Sequence, residues 1–203
     1  MKWVASILVY PAVFIGLFWL HHAWGALLGF HLAILISLFY AKPNVPIRIL
    51  FKSSSAKWIL LSILLCGSSG VSLYFLWPLF GIPNNISEQT LSLGLNSHSW
   101  FFFIAYFALV NPFLEEYFWR GYLGDTTYNF SMYDLIFAGY HVLIVIGRAH
   151  WLSITFSIAV LTLGGWFFRQ VAREDRGLLA PVLGHMSADF MILAAIFLRT
   201  QNI

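Results

Sequence analysis

The sequence predicts an all-α fold, a polytopic transmembrane helical bundle of about seven helices. Of its 203 residues, 60% are apolar and only 9% are charged, whereas about a quarter of the residues of a soluble domain are charged. The apolar residues form separate runs, most of which approach the roughly 20 residues that an α-helix needs to cross a bilayer. Most basic residues fall in a few short stretches between these runs, as in the loops of membrane proteins. We therefore expect lipid to be the main solvent of this chain.

Seven apolar runs are candidate membrane spans, and a range of six to eight helices fits the pattern. No repeat or low-complexity linker divides them. Residues 1–203 are therefore expected to form a single integral membrane domain. The candidate spans run from Trp3 to Leu20, Trp24 to Tyr40, Trp58 to Trp77, Trp100 to Trp119, Tyr133 to Ile146, Trp151 to Phe168 and Leu178 to Leu198.

Basic residues concentrate in two connecting stretches, which indicates the orientation of the chain. Because Lys and Arg stay preferentially on the cytoplasmic side, we expect both stretches there, with a cytoplasmic N-terminus and a non-cytoplasmic C-terminus. The net charge of +3 forms no long basic patch, so nucleic acid is not an expected partner. The residues of the two stretches are Lys42, Arg48, Lys52 and Lys57, and then Arg169, Arg173 and Arg176.

Two adjacent carboxyl groups, Glu115 and Glu116, stand near the end of the fourth span. A charge inside hydrocarbon costs at least about 2.5–3.5 kcal/mol, so such a residue usually has a partner or a function. Arg120 follows Glu116 by four positions and shares its helical face, where the two can form an ion pair. Glu115 points about 100° away and lacks that partner, which makes it the better candidate for a catalytic base.

The fifth and seventh spans contribute two histidines and one aspartate. His141 follows Phe137 by one helical turn, and His185 precedes Asp189 by the same spacing, so each pair shares a face. Counted at about 1.5 Å per residue from the end with the basic stretches, Glu115, His141 and His185 all lie roughly 10 Å deep. Three helices could therefore bring these groups to one water-accessible cavity.

These groups suit a hydrolysis in which water is the nucleophile. The spans offer no Ser or Cys with a histidine at an obvious nucleophile spacing, and the single Cys66 excludes an intrachain disulfide or a thiolate cluster. Glu115, assisted by His141, would deprotonate a water that attacks a peptide carbonyl. His185 with Asp189 would stabilise the oxyanion or protonate the leaving amine. The residues thus predict an intramembrane endopeptidase without a cofactor or metal.

Three other classes of protein use similar residues. The two glutamates and two histidines could ligate zinc, although the His-Glu-x-x-His motif is absent, and activity that survives a strong chelator would exclude a zinc-dependent membrane protease. A transporter or proton relay would depend on a proton gradient. A non-catalytic membrane scaffold or immunity protein would keep its function without Glu115.

The three motifs together resemble those of the CPBP family, which includes CAAX-processing endoproteases of the Rce1 type and proposed bacteriocin-processing enzymes and is also called the Abi family. The family's motifs are Glu-Glu-x-x-x-Arg, Phe-x-x-x-His and His-x-x-x-Asn or Asp. All three occur here in this order, within residues 100–195, whereas the first three spans match nothing in particular. The residues that carry the resemblance are Glu115, Glu116, Arg120, Phe137, His141, His185 and Asp189.

The resemblance implies that the first glutamate with the first histidine activates water, and that the second histidine with its partner forms the oxyanion site. It also implies a membrane-anchored or lipidated protein or peptide as substrate, membrane lipids as surroundings and a prokaryotic plasma membrane as location. Asp189 stands where the CAAX-processing members have Asn, and Trp119 stands where Phe is common. The sequence leaves open the oligomeric state and whether the substrate is a prenylated tail, a leader peptide or a C-terminal sorting helix.

Overall fold

The computed structural model describes residues 2–201, and this part of the chain is helical without a β-strand. Six of its helical segments are long and apolar enough to cross a membrane, which lies within the expected range. Short 3-10 helices cover Ile47–Phe51 and Trp77–Phe80. The α-helices are α1 (Lys2–Phe14, continued by π-helical Ile15–Trp19), α2 (Ala23–Ala41), α3 (Ala56–Phe75), α4 (Ile86–Ser92), α5 (Ser97–Leu109), α6 (Asn111–Glu116, continued by π-helical Tyr117–Tyr122), α7 (Met132–Tyr140), α8 (Val142–Val145), α9 (Trp151–Asp175) and α10 (Leu179–Gln201).

The span that carries the two glutamates consists of three consecutive helical pieces. It covers Ser97–Tyr122 and is interrupted at Val110, just before α6. Pro112 lies in the first turn of α6, where its missing N–H group costs least. Beyond α6 the chain widens into a π-helix, in which the backbone N–H of Leu123 donates to the carbonyl oxygen of Phe118 at 2.9 Å. Such turns are rare in proteins as a whole, but many of those that occur lie at functional sites.

The expected span from Tyr133 to Ile146 is the shorter apolar segment Met132–Val145, which is not among the six long ones. It is divided into α7 and α8 at His141. The ring nitrogen Nδ1 of His141 hydrogen-bonds the carbonyl oxygen of Phe137, one turn earlier, at 2.9 Å. A side chain that enters the hydrogen-bond ladder of a helix in this way interrupts it.

The polarity of the bundle is the reverse of that of a soluble protein. Leu64, Phe75 and Phe102 are 71–72% exposed on the outside, whereas Glu116 is fully buried and Asn111 is 1% exposed. Large exposed apolar surface is unstable in water, but it matches the hydrocarbon of a bilayer. The arrangement is therefore that of an integral membrane protein.

The two helices α3 and α10 pack closely against each other. Gly70 of α3 lies against the backbone of Met191, and a Cβ atom at Gly70 would overlap it. Gly184 of α10 likewise faces Ser62 of α3. Small residues let helix backbones approach closely in a membrane, where van der Waals packing drives association. This contact fixes α10, and with it His185, within the bundle.

The connections gather at two ends of the bundle. At one end, the backbone N–H groups of Ser54 and Ser55 donate to Asp175 at 2.8 and 2.9 Å, which joins the stretch before α3 to the end of α9. At the other end, the Arg199 side chain donates to the carbonyl oxygen of Tyr74. The two basic stretches therefore lie at the same end.

Candidate active site

Glu115 is buried on α6 and is held by two hydrogen-bond donors. The residue is 1% exposed. The amide nitrogen of Asn111 donates to Oε1 at 2.8 Å, and the hydroxyl of Tyr140 contacts Oε1 at 2.9 Å and Oε2 at 2.8 Å. Because a carboxylate offers about four lone-pair positions, Oε2 can accept one further donor such as a water.

Glu116 faces different partners, since neighbouring residues on a helix diverge by about 100°. Its Oε1 accepts from Nη1 of Arg120 at 3.1 Å and from Nδ1 of His185 at 2.8 Å. The guanidinium of Arg120 also lies over the ring of Phe137, 4.3 Å from the centroid, a favourable place for a buried cation. The two adjacent glutamates thus occupy separate environments.

His185 and Asp189 lie one turn apart on α10. Nδ1 of His185 faces Glu116, and because a carboxylate only accepts, Nδ1 carries a hydrogen. Nε2 lies 3.5 Å from Oδ1 of Asp189, which is longer than an ordinary hydrogen bond. Oδ2 of Asp189 accepts from the amide of Asn111 at 3.2 Å. Nε2 is therefore the ring nitrogen of His185 that remains available to another partner.

His141 is linked to Glu115 indirectly, by way of its neighbour Tyr140. Its Nδ1 faces the carbonyl oxygen of Phe137, which can only accept, so the neutral ring leaves Nε2 as an acceptor. The ring stacks on that of Tyr140 with 4.0 Å between centroids, and the Tyr140 hydroxyl contacts Glu115. Among residues 2–201, no hydrogen bond joins His141 directly to Glu115.

The structure therefore brings the seven predicted site residues together in two ways. Hydrogen bonds and ion pairs join Glu116 to Arg120 and His185, and Asn111 links Glu115 to Asp189. The other two predicted residues, Phe137 on α7 and His141 directly after it, border this set through ring contacts. Those ring contacts are made by Phe137, to Arg120, His141 and His185, and by His141, to Tyr140.

Sequence reasoning missed Asn111 and Tyr140, the two donors to Glu115. Asn111 lies one helical turn before Glu115, and an amide at that spacing in an apolar span was a usable signal. Tyr140 gives no such signal, because it is one of nine tyrosines and is adjacent in sequence to His141. Its position opposite Glu115 follows only from the packing of α7 against the fourth span.

The donor arrangement does not fit a zinc centre. A zinc site uses at least three protein ligands, and within the described part of the chain no three His, Cys, Asp or Glu side chains could share one ion. At the site itself, Oε1 of Glu116 already accepts from Arg120 and His185.

A second buried charge cluster, the Arg169 clamp, fixes the loop between α6 and α7. Arg169 is 4% exposed and donates to Asp134 at 2.7 and 3.2 Å, to Asp125 at 2.8 Å, and to the carbonyl oxygens of Thr127 and Asn129 at 2.6 Å. Partial burial of Asp125 would raise its pKa, but hydrogen bonds from Thr127 and the charge of Arg169 lower that pKa below its ordinary value of 3.8. The clamp thereby sets where α7 enters the bundle.

An apolar groove of about 430 Å³ lies beside the site, between α3, α5 and α10. Met186 on its wall directly follows His185 in sequence. A groove of this volume is in the range of pockets that bind small molecules or short apolar segments. Its lining residues are Ile63, Ala105, Ala108, Leu109, Leu183, Met186, Ser187 and Phe190.

Comparison with known families agrees with the motifs. The model of the family described as type II CAAX prenyl endopeptidase, Rce1-like, matches residues 97–191, a stretch that contains all three motifs. No curated protein and no solved structure matches the chain. Residues 97–191, slightly less than half of the chain, are therefore similar to the Rce1-like type II CAAX prenyl endopeptidases, in agreement with the resemblance of the motifs to the CPBP family.

Proposed function

We propose that the protein is an intramembrane endopeptidase in which Glu115 activates water to hydrolyse a peptide bond of a membrane-associated protein or peptide. One observation supports this above the others: the amide nitrogen of Asn111 contacts both Glu115 and Asp189, at 2.8 and 3.2 Å. The proposed base and the proposed oxyanion site thus lie on either side of one side chain, as attack on a single carbonyl requires.

The first proposed step is attack by water. A water bound to Oε2 of Glu115 gives a proton to the carboxylate, its oxygen bonds to the scissile carbonyl carbon, and the carbonyl electron pair moves onto the carbonyl oxygen. His141 would orient the same water through Nε2. Tyr140 and Asn111 hold the carboxyl group during the transfer. A positioned base of this kind contributes about 10²- to 10⁴-fold to the rate.

The second proposed step is collapse of the tetrahedral intermediate. A protonated His185 would donate from Nε2 to the oxyanion, while Nδ1 stays on Glu116 and Asp189 orients the ring from 3.5 Å. The carbon–nitrogen bond then breaks, and the leaving amine takes the proton held by Glu115, which restores the carboxylate. Donors aimed at a developing oxyanion contribute about 2.7–4 kcal/mol each.

We further propose a substrate that is anchored in the membrane or lipidated, with its apolar part in the groove beside α10. Residues 1–203 would form one membrane domain in a prokaryotic plasma membrane. The shared location of the two basic stretches supports a cytoplasmic N-terminus and a non-cytoplasmic C-terminus, since basic loops stay inside. An accessibility label placed on each side would test this orientation.

The experiment that tests the function is cleavage of a candidate membrane protein by cells that carry wild-type or variant protein. We expect Glu115→Gln to lower cleavage by about 10²- to 10⁴-fold, and His141→Ala and His185→Ala to lower it strongly. The matched control is Glu88→Gln on α4, outside the site, which should cleave like the wild type. Cleavage should also survive a strong chelator.

Two outcomes would contradict the proposal. Cleavage that persists in Glu115→Gln would remove the proposed base and favour a scaffold or immunity protein. Cleavage that stops in chelator and returns with zinc would favour a metal protease. Expression and thermal unfolding in detergent must match the wild type for either result to count.

A further inference from the structure

His31 lies on α2, outside the stretch that carries the family match, and yet it reaches the site. The residue is 3% exposed. Its Nε2 is 3.0 Å from Oδ1 of Asn111, and its Nδ1 is 3.2 Å from the hydroxyl of Tyr106. A histidine within a span often does no more than join two helices. Here, however, its partner also contacts both Glu115 and Asp189.

The carboxyl groups around Asn111 determine which atoms of this network carry a hydrogen. The nitrogen of the Asn111 amide faces the carboxyl oxygens of Glu115 and Asp189, and this orientation uses both of its hydrogens. Oδ1 of Asn111 must then accept, so Nε2 of His31 carries a hydrogen. The neutral imidazole leaves Nδ1 to accept from the Tyr106 hydroxyl. Every polar side-chain atom of His31 and Asn111 therefore has a partner.

We infer that His31 is a positioning residue for the proposed hydrolysis, which acts by locking the amide of Asn111 with its nitrogen toward Glu115 and Asp189. This inference rests on the proposed function. If His31 is removed, the amide of Asn111 can flip. Its Oδ1 would then face the carboxyl oxygens of Glu115 and Asp189, which are also acceptors. Glu115 would lose one of its two fixed donors, and its carboxyl group would no longer be held in the orientation that the reaction requires.

Substitutions at His31 test this role. His31→Leu removes both ring nitrogens, whereas His31→Gln keeps a terminal amide whose N–H group can occupy the place of Nε2. We expect kcat of His31→Leu to fall about 10- to 100-fold, as when other orienting partners of a reactive group are lost, with KM unchanged. His31→Gln should recover most of the lost rate. Ser37→Ala is the matched control, because it removes another buried polar group of α2 whose hydroxyl bonds only its own helix.

A double variant tests whether His31 acts through Asn111. Asn111→Ala should lower kcat at least as much as His31→Leu. If the inference is right, the combination of both substitutions cleaves no more slowly than Asn111→Ala alone, because the two residues form one unit. Losses that multiply would overturn the inference. It would also be overturned if kcat fell only in proportion to the folded fraction, measured by thermal unfolding.

Failure of this inference can be told from failure of the proposed function. If Glu115→Gln is inactive while His31→Leu cleaves like the wild type, the function stands and the inference alone is wrong. If Glu115→Gln still cleaves, the function fails, and a substrate-free readout decides on His31: modification of Glu115 by dicyclohexylcarbodiimide, which labels carboxyl groups in apolar surroundings, quantified by mass spectrometry. Equal changes in His31→Leu and Asn111→Ala would support the coupling, and labelling as in the wild type would overturn it.

Discussion

Two clusters of buried charge are built differently in this bundle. In the Arg169 clamp, all three guanidinium nitrogens donate hydrogen bonds. In the site, Oε2 of Glu116, Nη2 of Arg120 and Nε1 of Trp119 are buried without a hydrogen-bond partner among residues 2–201. An unpaired buried polar atom costs about 1–3 kcal/mol, so a fold that keeps three of them on neighbouring residues gives up stability there. The clamp has the features of a structural element, whereas the unpaired polar atoms of the site are those expected where water or substrate would bind.

The largest effect that would sharpen this comparison is expected from Arg169→Met. The substitution leaves Asp134 buried without its cation, and the free energy of unfolding should fall by about 3–5 kcal/mol. Arg120→Met is the matched variant, because Glu116 keeps His185 as a partner. It should lose less stability but most of the cleavage. Thermal unfolding in detergent and cleavage per folded molecule measure the two quantities, and equal destabilisation by both variants would erase the distinction between the clusters.

A smaller effect is expected when one donor to the proposed base is removed. Tyr140→Phe deletes the hydroxyl that contacts both oxygens of Glu115. Without this donor the carboxyl group can turn away from the attacking water, so kcat should fall about 10- to 100-fold. The unfolding temperature should fall as well, because a hydrogen bond to a charged group contributes about 1.5–3 kcal/mol to stability. Tyr10→Phe is the control, because that hydroxyl donates only to the backbone of Ile136 on the same helix α7. A kcat of Tyr140→Phe equal to that of the control would place Tyr140 outside the site's function.

The smallest effect is expected at Asp125, which is more exposed than the other carboxyl group of the Arg169 clamp. Despite partial burial, hydrogen bonds from Thr127 and the charge of Arg169 lower the pKa of Asp125 in the folded protein, so its carboxylate stabilises the protein above the unfolded pKa, and this contribution is lost as the pH falls through the folded pKa. Because the Asp125 side chain is 38% exposed, the contribution is at most about 1 kcal/mol. Asp125→Asn should therefore unfold slightly earlier than wild type at pH 7, with a difference that shrinks below about pH 4. A difference that stays constant in a pH series of unfolding curves would contradict this stabilisation by the charged carboxylate.

Local spacing accounts for the parts of this structure that could be predicted from the sequence. Apolar runs predicted the membrane helices, because bilayer thickness sets their length. The contacts between Glu116 and Arg120, and between His185 and Asp189, follow from the four-residue spacing on one helix. Contacts between helices have no such signature. His31 and Asn111 are separated by 80 positions, so their contact follows only from the packing of α2 on α6.

Hydropathy also missed the irregular helices around the site. It counts apolar residues and takes no account of the hydrogen bonds that side chains make to the backbone. Hydropathy therefore could not predict the division of the fifth expected span at His141 or the π-helical segment Tyr117–Tyr122. Both irregularities lie next to the proposed catalytic groups, where local rules are most often broken.

The site also joins pieces of chain that the ribosome produces at different times. Glu116 precedes His185 by 69 positions, and Asn111 precedes Asp189 by 78. At about 5–20 residues per second, several seconds pass between synthesis of the glutamates and synthesis of α10. During that interval a nascent copy holds the proposed base without the proposed oxyanion side, so the proposed hydrolysis could not yet take place. Insertion of α10 would then complete the proposed catalytic set.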